Sequence, residues 1–321
     1  MEVSARVRPV DPLLVITNDD AGTADDEALQ RALAILRLKC SVDVQSTSQP
    51  GELDGVLQRA GSRRIVVAGG DGSLHAVIAA LYRRHELEHA VVGLLPMGTG
   101  NDFARSLGIP LDPEDAAHVV LSGEVRPMDL VVDELGEVVV NNVHVGAGAH
   151  ASRRGAGIKD RLRSIGVGKV NLAKLGYPIG AVMAALDEPR VHLHVELDGK
   201  VVTDVDDPVL MLSIGNGANV GGGTMLTPHA DPADGKVDVM ISHAIGTKAK
   251  LGYALHLRRG EHHRRDDVQY LRGSQVTISG DAFWISADGE VSGPERQRCW
   301  HVEPAAYSFI LPRHVPSSDT P

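Results

Sequence analysis

With 321 residues, 43% of them hydrophobic, the chain can bury the core of one large domain or of two ordinary ones. A net charge of −10 and only 3% aromatic residues argue against a nucleic-acid partner, which would want a basic surface or stacking platforms. Cys40 and Cys299 offer neither a metal-ligand spacing nor a disulfide framework, and no apolar run is long enough to cross a bilayer.

The first apolar run, Leu13–Ile16, is too short for a signal-peptide core, so the expected location is cytoplasmic. It reads instead as a strand over Leu13–Thr17. Leu29, Ala32, Leu33 and Leu36 then fall at i, i+3, i+4 and i+7, which predicts a helix. Val42 and Val44 alternate in a second strand, and Arg64–Ala68 makes a third. Leu74, Val77, Ile78 and Leu81 mark the next helix, ahead of a strand at Ala90–Leu95. This β-α-β-α-β order predicts a doubly wound α/β nucleotide-binding domain over residues 1–128. Ligands of such sheets bind beyond the carboxyl ends of the strands.

Past Asp129 the pattern changes. Strand candidates crowd together at Val138–Val145, Val191–Leu197, Val209–Ile214, Val237–Ser242, Gln275–Ser279, Phe283–Ser286 and Tyr307–Leu311. Helical stretches interrupt them at Leu172–Leu186 and Ala249–Arg259. Dense strands of this kind predict an antiparallel β-sandwich-like domain over 129–302, with residues 303–321 packing back on the first domain.

Two turns carry the chemistry. Strand Arg64–Ala68 runs into Gly69-Gly70-Asp71-Gly72-Ser73, and a helix opens there. Such a turn lets backbone N–H groups approach polyphosphate without Cβ atoms in the way, while its carboxylate can meet a metal or a proton. No G-x-x-x-x-G-K-[ST] is present, so it is not a P-loop. The second turn, Pro96-Met97-Gly98-Thr99-Gly100-Asn101-Asp102, also follows a strand and opens a helix. Thr99 can donate to a phosphate oxygen, and Asn101 or Asp102 can cap the helix. One such turn reads equally well as a plain turn with a cap. Two in one parallel sheet put both loops at the same sheet edge and favour a phosphate site.

The pair Gly69–Ser73 and Gly98-Thr99-Gly100-Asn101-Asp102-Phe103-Ala104-Arg105-Ser106-Leu107-Gly108-Ile109-Pro110 resembles the catalytic domain of diacylglycerol and sphingosine kinases, in the manner of the soluble bacterial lipid kinases. The first turn alone is shared with NAD kinases and phosphofructokinases. The likeness runs on through Asp129-Leu130, Asn141–Gly148, Thr227–Val239 and Ala287-Asp288-Gly289-Glu290. Ser73 stands where threonine is usual, keeping the hydroxyl, and Asn18-Asp19 stands where Asn-Pro is usual.

The resemblance implies an ATP- and magnesium-dependent lipid kinase with ATP bound between the domains. Its phosphates would lie over Gly69, Gly70, Asp71, Gly72 and Ser73, with further contacts from Asn18, Thr47, His75, Thr99, Asn101 and Asp102. Glu290 would be the general base that takes the proton from a lipid hydroxyl, with diacylglycerol going to phosphatidate. Asp71 would hold the nucleotide's magnesium or a water on it. A second magnesium is implied at Asp231, Asp234 and Lys236, with Asp234 giving its carboxylate and the other two their carbonyls. From the residues alone, Asp288-Gly289-Glu290 is a hairpin turn, since Asp-Gly favours type I′, and Asp231–Lys236 is a solvated acidic loop. Such an enzyme would meet its lipid peripherally and transiently at the inner membrane face, and an edge strand leaves room for a homodimer. Sphingoid bases, ceramide, phosphatidylglycerol and NAD stay open as acceptors.

Other signals carry less. Val143–Ala151 mimics a dinucleotide fingerprint but has no carboxylate in the ribose-holding position downstream, so a Rossmann NAD site is rejected. The run Arg258–Arg265 reads as a solvated helix end or as a contact for anionic headgroups. Arg153, Arg154, Lys159, Arg161 and Arg163 form a second basic patch. His192 and His194 share a strand face, with no carboxylate company expected.

Overall fold

The runs Leu13–Ile16, Ile65–Ala68 and Val92–Leu95 are buried along their whole length, as strands covered on both faces must be. The computed structural model describes residues 12–18, 23–48, 50–147, 149 and 190–313. The described residues fall into two compact units, one within Met1–Gly98, Leu107–Pro127 and Tyr307–Pro321, the other within Thr99–Ser106 and Met128–Ala306. The expected helix Leu172–Leu186, the basic patch from Arg153 to Arg163, and Asp19 lie outside the described residues.

In chain order the first unit holds β1 (Leu13–Asn18), α1 (Thr23–Arg37), β2 (Val42–Thr47), α2 (Pro50–Gln58), β3 (Arg64–Gly69), α3 (Asp71–Arg83) and β4 (Val91–Pro96). The next helix in the chain, α4 (Asp102–Ser106), belongs to the second unit, and α5 (Pro113–Ser122) returns to the first. The strands lie in the order β2-β1-β3-β4, all parallel. Leu29, Ala32, Leu33 and Leu36 are all buried, so the helical periodicity of α1 points where the spacing predicts. Strand β2 departs from the expected alternation. It is the edge of the sheet and is half-buried along most of its length, so its two faces are not sharply distinguished.

Two helices carry too weak an apolar stripe to be anticipated. Helix α5 buries only Ala116, Ala117 and Val120, and α2 contains Gly51 and Gly55. The start of α5 is nonetheless written in its cap: Asp112 accepts from the N–H groups of Glu114 (2.9 Å) and Asp115 (3.2 Å), with Pro113 in the first turn.

The chain continues with β5 (Glu124–Asp133), β6 (Val138–Val139), β7 (Asn142–Gly146), β8 (Leu193–Leu197), β9 (Lys200–Thr203), β10 (Met211–Gly215), β11 (Asn219–Val220), β12 (Thr224–Met225) and β13 (Val237–Ser242). Helix α6 (Thr247–Arg258) follows, then β14 (Val268–Gly273), β15 (Gln275–Ala287) and β16 (Glu290–Leu311). In the second unit β14-β13-β10-β7-β15-β16 pair antiparallel, and β8 joins β15 and β9. The two short strands expected around Phe283 are one long strand, β15, interrupted by register shifts between Ser279 and Ile285. Likewise Tyr307–Leu311 is the end of β16, whose last residues run parallel to β4 in the first unit.

Strand β13 is buried at every position because both of its faces are covered. Val237, Val239 and Ile241 point into a core shared with Val143, Val145, Leu212, Ile214, Ile278 and Phe283. Met240 points the other way, into a second core with Met211, Leu226, Tyr253 and Leu257 beneath α6.

His262 is fully buried beside this second core, its Nε2 2.8 Å from the Leu226 carbonyl and its Nδ1 without a partner. Burial pulls its pKa from the ordinary 6.5 down to about 4. Between those values the unfolded chain binds more protons than the native one, so stability is fully present above pH 6.5 and is lost as pH falls toward 4. Urea unfolding at pH 7 and pH 5 is expected to differ by about 2 kcal/mol through this residue, and His262→Gln should remove that share of the slope.

Candidate active site

Helix α3 begins immediately after β3. Gly70 stands at its N-cap position and brings no side-chain cap to the first-turn N–H groups. An α-helix cannot satisfy those groups itself, and its N-terminus carries partial positive charge. The strand order 2-1-3-4 puts the topological switch between β1 and β3, and the N-terminus of α3 opens there. A cavity of about 320 Å³ occupies that place, and Asn18, Thr47, Ser48, Gly72, Ser73 and His75 line it. Five of these were singled out from sequence; Ser48 was not. Its backbone N–H and hydroxyl both donate to Glu52 (2.7 and 3.0 Å), which fixes the entrance to α2 beside the cavity.

The glycines of the turn do different work. A Cβ on Gly69 would come within 2.6 Å of both the Cβ and the Oγ of Ser73, so this glycine lets the strand end pack against the first turn of α3. A Cβ on Gly72 would meet nothing within 4 Å. The backbone there is open to the cavity, as a phosphate cradle requires.

The second turn leaves the sheet beside the first. Gly69 and Pro96 are register partners on β3 and β4, and the Met97 N–H donates to the Gly69 carbonyl at 3.0 Å. From Thr99 on, however, the segment belongs to the second unit. Thr99 is exposed, and Asn101 is buried with φ 50°. The Asp102 carboxylate accepts from the N–H groups of Gly222 (2.9 Å) and Gly223 (2.7 Å), beyond the expected helix-capping role. The Ser106 hydroxyl accepts from the N–H groups of Ala218 (3.0 Å) and Asn219 (3.1 Å). This turn is thus tied to the β11–β12 hairpin.

Asp288 and Gly289 form the two-residue connection between β15 and β16, with φ 47° and 92°, the left-handed pair that a type I′ hairpin needs. Asp288 Oδ2 accepts from the Val140 N–H (2.7 Å), and its Oδ1 accepts from the N–H groups of Asn141 (2.9 Å) and Asn142 (3.0 Å). The Asp288 N–H returns a bond to the Asn142 carbonyl at 3.0 Å. Glu290 follows this clamped turn with its side chain exposed. Opposite Ser286 in the ladder lies His144, which sequence reasoning passed over. Burial lowers its pKa to about 4 against the opposing pull of Asp288, so it is neutral at physiological pH.

The acidic loop carries its own cation. Asp231 accepts from the Ala233 N–H (3.1 Å), and one oxygen of Asp234 accepts from the Lys236 N–H (3.0 Å). The other oxygen of Asp234 is paired with Arg272, which also reaches Asp238 at 2.8 Å. Asp129 closes the loop, accepting from the N–H groups of Gly235 (2.6 Å) and Ala305 (2.8 Å). As arranged, these residues do not fit a magnesium ion, because a guanidinium already neutralises the one carboxylate the site would supply. Among the described residues no three acidic, histidine or cysteine side chains converge to hold a metal.

His194 corrects an expectation. It has two carboxylate partners, Glu196 at 3.1 Å and Asp204 at 3.2 Å, and their hydrogen bonds raise its pKa. Glu196 lies two residues along the same strand face and was readable; Asp204 comes from beyond β9 and was not. The group forms surface ion pairs.

The first unit therefore holds a cavity at a helix N-terminus without a side-chain cap, and the second an exposed carboxylate after a clamped turn. Two family models match the chain: diacylglycerol kinase catalytic domain over residues 12–132, and YegS C-terminal NAD kinase beta sandwich-like domain over residues 141–311. The protein named probable lipid kinase YegS-like from Xanthomonas oryzae pv. oryzae is 30% identical over 317 residues, covering 92% of this chain and 94% of that protein. A diacylglycerol kinase of Bacillus subtilis is 26% identical over 231 residues, 71% of either chain. Among solved structures, a diacylglycerol kinase from Bacillus anthracis superposes with a TM-score of 0.72 at 21% identity, over 94% of this chain and 97% of that one, a likeness of fold.

Gly69→Ala and Gly72→Ala are expected to separate packing from binding. The first should destabilise the protein by about 1–3 kcal/mol in urea unfolding, since Ser73 must shift. The second should leave the unfolding midpoint unchanged and weaken ATP binding in a calorimetric titration.

Proposed function

The chain belongs to the lipid kinase family that joins a diacylglycerol kinase catalytic domain to a YegS-type C-terminal domain, and from that membership we propose that it transfers the γ-phosphate of ATP to the hydroxyl of diacylglycerol, giving phosphatidate. The observation that carries the reading is the cavity at the switch point of the parallel sheet, where the N-terminus of α3 opens without a side-chain cap. A triphosphate is the ligand whose charge and acceptors answer that end of a helix.

Phosphoryl transfer asks a protein mainly to position reactants and neutralise charge. Gly70, Gly72 and Ser73 present backbone N–H groups, and the Ser73 hydroxyl adds a donor at the same turn. Asn18 and Thr47, at the ends of β1 and β2, bound the same cavity and orient the nucleotide. Magnesium, when bound with the nucleotide, shields the phosphate charge, and Asp71 in the first turn of α3 is the carboxylate that would hold it. Thr99 carries an exposed hydroxyl in the second unit. Asn101 and Asp102 shape its turn from within the second unit.

Glu290 takes the proton from the attacking lipid hydroxyl. A base must be held still to be effective, and the three N–H groups that grip Asp288 hold the turn one residue away. The second unit is the side that receives the lipid. Neutral His144 beside that turn adds no competing positive charge.

Removing the base should lower turnover without removing the nucleotide. Glu290→Gln is expected to cut the rate of label transfer from γ-labelled ATP to diacylglycerol vesicles by about 10²–10⁴-fold, with ATP affinity unchanged. Wild-type turnover in a folded Glu290→Gln protein would overturn the assignment of the base.

A further inference from the structure

Helix α6 has one face inside the protein and one outside. Tyr253 and Leu257 are buried in the core beneath it. Lys248, Leu251, Leu255, Arg258 and Arg259 recur at helical spacing on the opposite face, and all are exposed. Leu251 and Leu255, one turn apart, are 53% and 52% exposed. Lys248 lies at one end of this leucine pair and Arg258 and Arg259 at the other.

The charge is as uneven as the exposure. Helix α6 contains no acidic residue, within a chain of net charge −10. Arg265, further on, is paired with Asp267 at 2.6 Å, whereas Lys248, Arg258 and Arg259 form no ion pair among the described residues. Two apolar side chains standing in water between unpaired cations match the boundary between acyl chains and phosphate headgroups. No helix among the described residues is long and apolar enough to cross a membrane, so such a helix would lie on the surface. A second copy of the chain is a poorer match, since an isologous contact through this face would set cations against cations.

We propose that the outer face of α6 docks the protein on an anionic lipid bilayer, Leu251 and Leu255 entering between headgroups while Lys248, Arg258 and Arg259 meet their phosphates. The proposal rests on the lipid kinase reading only for the reason the protein would visit a bilayer, and binding is measured without turnover. The face lies in the same unit as Glu290, the unit assigned to the lipid.

Co-sedimentation with vesicles of phosphatidylcholine alone, or mixed with phosphatidylglycerol, tests it. Wild-type protein should bind the mixed vesicles, bind the neutral ones far less, and be released as salt is raised. Replacing Lys248, Arg258 and Arg259 together by Gln should weaken binding about a hundredfold. Leu251→Gln with Leu255→Gln should weaken it at least about tenfold. Both variants should keep the wild-type thermal midpoint and the wild-type rate on a water-soluble short-chain diacylglycerol. Equal binding by wild type and both variants, or equal binding to both vesicle types, would overturn the proposal. So would a wild-type dimer in sedimentation velocity that the leucine variant abolishes. A protein that phosphorylates the short-chain lipid yet ignores anionic vesicles sinks the docking face and leaves the kinase standing; one that binds vesicles as described and phosphorylates no lipid does the reverse.

Discussion

The first turn of an α-helix presents backbone N–H groups that no residue of the helix can satisfy. Most helices meet this need with a side chain at the N-cap, but α3 has Gly70 there and no side-chain cap. That choice organises the first unit. The parallel sheet divides its connections on either side of β1, so the end of α3 faces a cavity and not a packed helix. Gly69 lets strand and helix come close enough to form a tight turn, and Gly72 leaves the backbone bare beside the cavity. Positive backbone charge, an open cavity and flanking hydroxyls converge at one sheet edge, and the proposed nucleotide site rests on that combination.

The second unit solves a different problem with one repeated device. Three of its connecting segments are each gripped by a carboxylate that accepts two or three backbone N–H groups. Asp102 grips residues 222 and 223, Asp129 grips 235 and 305, and Asp288 grips 140 to 142. Hydrogen bonds to a charged acceptor contribute about 1.5–3 kcal/mol each, roughly double a neutral bond. The last of these grips holds the turn that precedes Glu290. Asp234 divides its two oxygens: one accepts a backbone N–H, from Lys236, and the other is paired with Arg272 on the neighbouring strand.

Periodicity made much of the sheet legible. Leu29, Ala32, Leu33 and Leu36 announce α1, and unbroken apolar runs announce β1 and β3, because burial on one helical face or on both strand faces leaves a readable mark. Small residues leave less of one, which is why α5, packed through two alanines and a valine, went unseen. Gly280, Gly293 and Pro294 punctuate β15 and β16, so two long strands read as several short ones. In the site, local motifs were readable: the Gly69–Ser73 turn and the Asp-Gly hairpin before Glu290 both have the backbone that their residues require. Partners that meet only through the fold were not. Nothing in the order of residues links Asp102 to Gly223, Asp288 to Asn141, or Asp234 to Arg272.

Product analysis reaches the central claim most directly. The purified protein, incubated with ATP and magnesium together with both NAD and a total lipid extract, is followed by mass spectrometry of everything that gains a phosphate. The account predicts phosphatidate, formed from the diacylglycerol present, with NAD unchanged. Phosphate appearing in NADP alone, or in no lipid at all, would contradict it.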